Sequence, residues 1–287
     1  MPLMEIRELT HVYSAGTPFE KTAVDHLSLS IEEGRTVGLI GHTGSGKSTL
    51  IQHMNALLKP DAGTVRFRGE DIFASKESMY RTRFRVGLVF QYPEYQLFEE
   101  TVFADIAFGP KNQKLSKDEI DRRVREAAAF VGVTEDQFER SPLDLSGGQK
   151  RRVAIAGVLA MEPELLILDE PSAGLDPAGR EDLLGKLFRW REARGATILL
   201  VTHDMSAAAL CDTLAVLDKG KVVMQGRPGE IFSHAEELWE LGLGLPEATH
   251  IAMLLRARGV ELPGDIYTIP QLRDAVLALA GKGGASC

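Results

Sequence analysis

Apolar positions along the chain fall into two kinds of pattern. Short unbroken runs, VGLI (37–40), VGLVF (86–90), LLIL (165–168), TILLVT (197–202) and TLAVL (213–217), show no alternation with polar residues. Such runs are expected of strands covered on both faces, so they predict a mostly parallel central sheet. The stretches between them carry helix-like spacing, which gives the rhythm of an α/β domain. Before the first run, MEIRELTHVY and LSLSIEEG predict an antiparallel β layer. From Pro93 to Leu145 the strand rhythm stops, and KLSKDEIDRRVREAAAFVGV puts Ile120, Val124, Ala127, Ala128 and Val131 on one side of a charged-faced helix. An inserted helical subdomain over about residues 93–160, within a nucleotide-binding-type domain of residues 1–226, follows from that change. After Gly226 the pattern turns to helices interrupted at Pro228, Pro246, Pro263 and Pro270, which predicts a small helical appendage over 227–287. Its last residues, AGKGGASC, are expected to be disordered. No internal repeat is present.

Composition narrows the function classes. A formal net charge of −8 disfavours a nucleic-acid binder that relies on a basic surface. Cys211 and Cys287 match no metal or redox spacing, which suits a reduced cytosolic protein. MPLMEIRELTHVY lacks a basic-then-apolar leader pattern, and no apolar run approaches the ~20 residues of a membrane span. Membrane association is therefore expected only through partners.

The chemistry starts at GHTGSGKST, which fits G-x-x-x-x-G-K-[ST] with Gly41, Gly46, Lys47 and Ser48 in the fixed places and His42, Thr43, Gly44, Ser45 and Thr49 around them. A strand precedes this stretch and a helix follows, the context in which backbone N–H groups converge on phosphate at a helix N-terminus. Lys47 can reach the β- and γ-phosphates of ATP, and the Ser48 hydroxyl can ligate Mg²⁺. The competing reading, a glycine-rich turn that binds nothing, accounts for neither the spacing nor the context. LLILDE then supplies the acids: Asp169 to face Mg²⁺ through water, and Glu170 to orient or deprotonate the attacking water. Alone they would read as solvated acids at a strand end. His203 follows the run TILLVT, at the sheet edge where ligands of open α/β sheets collect, and can hydrogen-bond the γ-phosphate. In LDLSGGQKRRVAIA, Ser146 can cap a helix that starts at Gly147, with Gln149 completing a capping box and Gly147 and Gly148 leaving room for a ligand. Two anion-ready helix ends and one phosphate loop suggest that the second end completes another molecule's site.

These elements, in this order, resemble the nucleotide-binding domain of ABC transporters, an ABC-type P-loop NTPase, from residue 3 to about 226. In that resemblance GHTGSGKST is Walker A, Gln91 the Q-loop glutamine, LSGGQ (145–149) the signature, LLILDE (165–170) Walker B, SAGLD (172–176) the D-loop and His203 the switch histidine. The resemblance implies a head-to-tail dimer that holds ATP between one Walker A and the other subunit's signature. It also implies that Glu170 is the base, that Gln91 joins Ser48 at Mg²⁺ and links the site to a transmembrane partner, and that Asp176 couples the two sites. An aromatic residue stacks on adenine in the family; Tyr13 and Phe19 both stand near the expected place.

Three further stretches, FQYPEYQLFEETVFADIAFGPKN (90–112), AIAGVLAMEPE (154–164) and ELGLGLPEATHIAMLLRARGVELP (240–263), closely resemble the ATPases of energy-coupling factor transporters, and GHTGSGKSTLIQHMN with PEYQLFEETV is similar to the second, A-prime type. The resemblance implies an importer of vitamins or transition-metal ions built from two ATPases, a transmembrane T subunit and a substrate-binding S subunit, with this chain on the cytoplasmic face of the membrane. The working ATPase pair is then either this chain with a sister ATPase or this chain with itself, and the cargo is chosen by a subunit other than this one. The T subunit's helices are expected against the segment after Gln91, where Glu94, Glu99, Glu100 and Asp105 are either partners for basic residues or a solvated acidic face. The stripe Ala248, Ile251, Ala252, Leu254 and Leu255 packs either on this chain or on a partner. Rival readings are an ATPase of another importer class and a soluble ABC ATPase acting on nucleic acid, the latter disfavoured by the acidic balance and the single uninterrupted cassette.

Overall fold

A computed structural model describes residues 1–283. In chain order, β1 (Met4–Tyr13) and β2 (Lys21–Ile31) form an antiparallel pair, and β3 (Thr36–Ile40) leads through the glycine-rich turn into α1 (Lys47–Met54). Next come β4 (Ala62–Phe67), β5 (Glu70–Asp71), α2 (Lys76–Arg85) and β6 (Val86–Val89). A short 3₁₀ turn, Pro93–Gln96, opens the helical stretch of α3 (Val102–Asn112), α4 (Lys117–Val131) and α5 (Gly147–Leu159). The chain then alternates through β7 (Leu165–Asp169), α6 (Pro177–Arg194), β8 (Thr197–Val201), α7 (Met205–Ala208), β9 (Thr213–Asp218) and β10 (Lys221–Gly226). Four helices close it: α8 (Pro228–Ser233), α9 (Ala235–Glu240), α10 (Glu247–Ala257) and α11 (Ile269–Gly283).

The six-stranded sheet has the order β10-β9-β3-β8-β7-β6 and is parallel apart from β10 at its edge. Its strands β3, β7 and β8 are buried at every position, as their unbroken apolar runs predict. Alternate side chains serve two different cores. Leu166 and Leu168 join the helical side with α3 to α6, whereas Leu165 and Ile167 join α1 and the second sheet. That second sheet, β2-β1-β4-β5, is the expected antiparallel layer. Strands β4, β5 and β10 are too short or too polar to stand out in the sequence pattern; β10 alternates exposed and half-buried residues along its length.

The charged helix α4 buries Val124, Ala127, Ala128 and Val131 and packs Ile120 against the same core. Ser116 accepts from the Glu119 N–H at its start, and Gly132 closes it in the left-handed conformation, where a side chain would be strained. The prolines after Gly226 start helices more than they break them: Pro228 is the first residue of α8, Pro246 caps α10 and Pro270 lies in the first turn of α11. Two cores serve this stretch. Ile231, Phe232, Leu238 and Leu243 join the helical-side core, whereas Ala248, Ala252, Ile266 and Leu272 form a small cluster of their own. The α10 stripe accordingly divides: Ala248, Ala252 and Leu255 pack inside the chain, while Ile251 and Leu254 stay exposed. Residues 280–283, expected to be disordered, belong to α11, and 284–287 lie outside the described residues.

Candidate functional site

The glycine-rich turn takes its shape from steric demands at two positions. A Cβ on Gly41 would stand 2.4 Å from the Leu217 carbonyl oxygen and 2.7 Å from Ser45 Oγ. Gly46 has φ of 108° and its Cβ would stand 2.4 Å from the Ala23 carbonyl oxygen. The turn is thus clasped between β2 and the β9–β10 hairpin, and Gly220 N–H donates to the Ser45 carbonyl at 2.8 Å. His42 lies 2.9 Å by Nε2 from Asp218 Oδ1, which fixes the second residue of the motif to the end of β9.

This turn forms one wall of a cavity of about 740 Å³, whose other walls carry Tyr13, Gln91, Asp169, Glu170 and His203. The sequence-predicted Gly41, His42, Thr43, Gly44, Gly46, Lys47, Ser48 and Thr49 all line it, while Ser45 turns inward, fully buried, with no hydrogen-bond partner for its hydroxyl. Lys47 Nζ donates to the Gly41 and His42 carbonyls at 2.6 and 2.9 Å, which holds the ammonium at the mouth of the turn. Burial lowers its pKa, and Glu170 and Asp169 oppose that shift. Ser48 Oγ lies 3.5 Å from Asp169 Oδ2. Burial, then the charge of Glu170, pushes the Asp169 carboxyl up to about 6, against the pull of Lys47 and Ser48. Hydroxyl, carboxylate and the nearby Gln91 amide are hard oxygen donors of the kind a small divalent cation takes. No group of three or more His, Cys, Asp or Glu suited to a metal occurs among the described residues. A cation here would complete its shell from phosphate and water, as magnesium usually does.

Glu170 leaves β7 with φ of 49°, a strained angle for a side-chain-bearing residue, while its N–H donates to the Val201 carbonyl at 2.9 Å. Its Oε1 lies 2.7 Å from His203 Nδ1, so acid and imidazole meet in the cavity's lining. Tyr13 reaches the cavity, its hydroxyl 3.3 Å from Thr49 Oγ1; Phe19, largely exposed, is not among the cavity's lining residues.

Ser146, Gly147, Gly148 and Gln149 do not line this cavity. They form the N-terminus of α5 with the expected capping box: Gln149 N–H to Ser146 Oγ at 3.4 Å, and Ser146 N–H to Gln149 Oε1 at 2.9 Å. A Cβ on either glycine would meet nothing within 4 Å, so the helix end is open to a ligand from outside. Asp176 caps α6 by accepting from Gly179 N–H at 2.6 Å and also lies away from the cavity.

Sequence reasoning missed several lining residues. Lys21 and Ala23 arrive from β2, and Met205, Gly242, Leu243 and Gly244 form a wall beyond His203. The glycine pair in ELGLGLP was the available signal, for a tight turn that comes close to something. Cys211 is a buried core thiol, pushed up to about 12 by burial, and Cys287 lies outside the described residues.

A second concavity, mostly apolar, lies between α2, α3 and α5. Tyr80, Phe84, Leu97, Phe98, Phe108 and Val158 line it, in a volume of about 580 Å³. Of the acids proposed to face a partner there, Glu94 is instead engaged by Arg151, and Asp105 accepts the N–H groups of Phe98 and Glu99 at 3.3 and 3.2 Å. Glu99 is half-buried and Glu100 exposed, and neither lines the concavity.

The family profile described as ABC transporter matches residues 24–173. The energy-coupling factor transporter ATP-binding protein EcfA2 of Clostridium tetani is 48% identical over 286 residues, which is 99% of each chain. The chain belongs to the ATP-binding proteins of energy-coupling factor transporters. Among solved structures, cbiO1 from Clostridium perfringens, part of the ABC transporter complex cbiONQ, superposes with a TM-score of 0.75 at 39% identity, covering 89% of this chain and 99% of that one. The cassette MJ0796, dimeric in a post-hydrolysis state bound to ADP and Pi, gives a TM-score of 0.71 at 28% identity over 78% of this chain and 98% of its own. This family ATPase has no helix among its described residues long and apolar enough to cross a membrane.

Proposed function

We propose that this chain is one of the two ATPase subunits that drive an energy-coupling factor importer, hydrolysing ATP at a site it shares head to tail with a second ATPase. The observation that carries the reading is the convergence of Lys47, Ser48, Asp169, Glu170 and His203 on one cavity while the anion-ready end of α5 stands open elsewhere. In this reading Tyr13 stacks on adenine and the N–H groups from Gly41 to Thr49 cradle the phosphates. Lys47 exchanges the Gly41 and His42 carbonyls for phosphate oxygens. Ser48, Asp169 and Gln91 would hold Mg²⁺, which would supply positive charge against the phosphates. Glu170 accepts the proton of the attacking water, and His203, already hydrogen-bonded to it, orients the γ-phosphate. Ser146, Gly147, Gly148 and Gln149 of the second ATPase close over that phosphate, and Asp176 joins the two sites.

The division into a cassette over 1–226, with its helical part about 93–160, and a C-terminal unit over 227–287 fits this role, with α8 and α9 fastened to the cassette's core. The apolar concavity beside Phe98 and Phe108 suits the helices of a transmembrane T subunit, with Glu99 and Glu100, next in the chain after Phe98, available to basic residues. An S subunit then selects the vitamin or metal ion, and this chain sits at the cytoplasmic face of the membrane without touching nucleic acid. The exposed Ile251 and Leu254 of α10 suit the contact with the second ATPase. The deciding experiment is Glu170→Gln in the purified ATPase pair. ATP affinity should stay within about threefold while hydrolysis falls by about 100-fold or more, the contribution of a positioned base; unchanged turnover would remove Glu170 from that role.

A further inference from the structure

Among the ion pairs of the described residues, Arg151 with Glu94 is the most buried, its side chains 6% and 15% exposed. Arg151 sits on α5, one turn beyond the Ser146 cap. Its Nε and Nη2 donate to the two oxygens of Glu94 at 3.2 and 2.9 Å. Its Nη1 donates to the carbonyls of Ala173 and Pro171 at 2.5 and 3.4 Å. One guanidinium therefore joins three segments: the Pro93–Gln96 turn next to Gln91, the helix that begins at the signature, and the turn that follows Glu170. That last turn is tied to the candidate base, because Ala173 N–H donates to the Glu170 carbonyl at 3.1 Å.

The turn at Pro93 presents two faces. Gln96, Leu97 and Phe98 line the apolar concavity, whereas Glu94 points away from it to Arg151. A buried carboxylate left without its partner is costly, and so are two buried carbonyls left without their donor. When the turn moves, Arg151 either follows it and draws on the Ala173 and Pro171 carbonyls, or stays and gives up both bonds to Glu94. The planar five-donor guanidinium meets all of them at once, which a lysine could not.

We propose that Arg151 is a positioning residue that transmits displacement of the Pro93–Phe98 segment to the signature end of α5 and to the turn behind Glu170, so that docking at the concavity and closure over ATP become one movement. The inference rests on the concavity being the face that meets the membrane subunit.

The test compares ATPase rates of the two-ATPase assembly alone and in the intact complex with its membrane subunits. Glu94→Gln removes the charge and keeps the size. It should leave KM for ATP and the rate of the isolated ATPase pair within about threefold, yet reduce the effect of the membrane subunits on that rate by about tenfold, a typical coupling between sites. Glu94→Asp, which keeps the charge, should recover most of that effect, a rescue that lost packing alone would not give. An unchanged effect of the membrane subunits in folded Glu94→Gln complex would overturn the proposal. So would a Glu94→Gln chain that folds but fails to assemble, since Glu94 would then act in docking itself. Phe98→Asp separates this from the premise: it should abolish co-purification of the membrane subunit. If the Phe98→Asp complex assembles normally, the docking reading falls; if it does not and Glu94→Gln still responds fully to the membrane subunits, only the role of Arg151 falls.

Discussion

At the scale of single residues the nucleotide cavity is a set of groups held away from their ordinary states. Asp169 is the clearest case. Its carboxyl, pushed up to about 6 from 3.8 by burial and by Glu170, resists ionisation in the folded protein. A raised carboxyl pKa means that the native chain holds a proton which the unfolded chain has released. Its contribution to stability is therefore full below about pH 4 and lost as pH rises through about 6, at most on the order of 3 kcal/mol at 1.36 kcal/mol per pH unit. Thermal melts of metal-free protein should show the advantage of the native chain over Asp169→Asn shrinking between pH 4 and 6 and flat above; parallel curves would refute that origin. Glu170 carries strain of a different kind, in its backbone. Glycine would relieve the angle, so Glu170→Gly should keep or raise the melting temperature by a few degrees while hydrolysis is lost, a trade of stability for a fixed carboxylate.

At the scale of elements, the phosphate turn is positioned by its neighbours as much as by its own glycines. Gly46→Ala would drive a methyl group into the Ala23 carbonyl at a backbone angle that alanine avoids. We expect a loss of about 2 to 3 kcal/mol in stability by denaturant unfolding, together with loss of ATP binding. Much of this level was legible in the sequence. The runs of β3, β7 and β8 are dominated by apolar residues because both sheet faces are covered, and the spacing of GHTGSGKST specifies its own turn. The capping box at Ser146 was also readable, since it needs only residues three apart. What stayed hidden came from distant segments. Nothing near Glu94 in the chain announces Arg151, 57 residues on, and a glutamate in a polar-looking stretch reads as solvated. Likewise β10 alternates too weakly to declare a strand until β9 is beside it. Tyr13 and Phe19 look alike by position in the chain; in the structure Tyr13 lines the cavity and Phe19 does not.

At the scale of the whole molecule, the open α5 end and the Lys47 cavity do not meet within one chain. Under the proposed function each chain carries half of each of two sites, and assembly brings the halves together. Ser146→Arg puts bulk and positive charge at that end and should abolish ATP-induced pairing; sizing in the Glu170→Gln background, with ATP present, would detect it. A pair that still forms in that background, or normal turnover by Ser146→Arg with Glu170 intact, would contradict the head-to-tail arrangement.

The wall of Gly242, Leu243 and Gly244 has a consequence for how such proteins can be divided and recombined. The sequence pattern puts the end of the cassette near Gly226, yet the helices that follow carry Ile231, Phe232, Leu238 and Leu243 into the same core and return the chain to the cavity. A boundary drawn at Gly226 by sequence pattern therefore differs from the end of the packed unit. A chimera joined at 226 would trade away part of its own core and one side of the cavity, whereas a junction just after Leu245 would exchange the outer helix pair and, of the residues packed on the cassette's core, Tyr267.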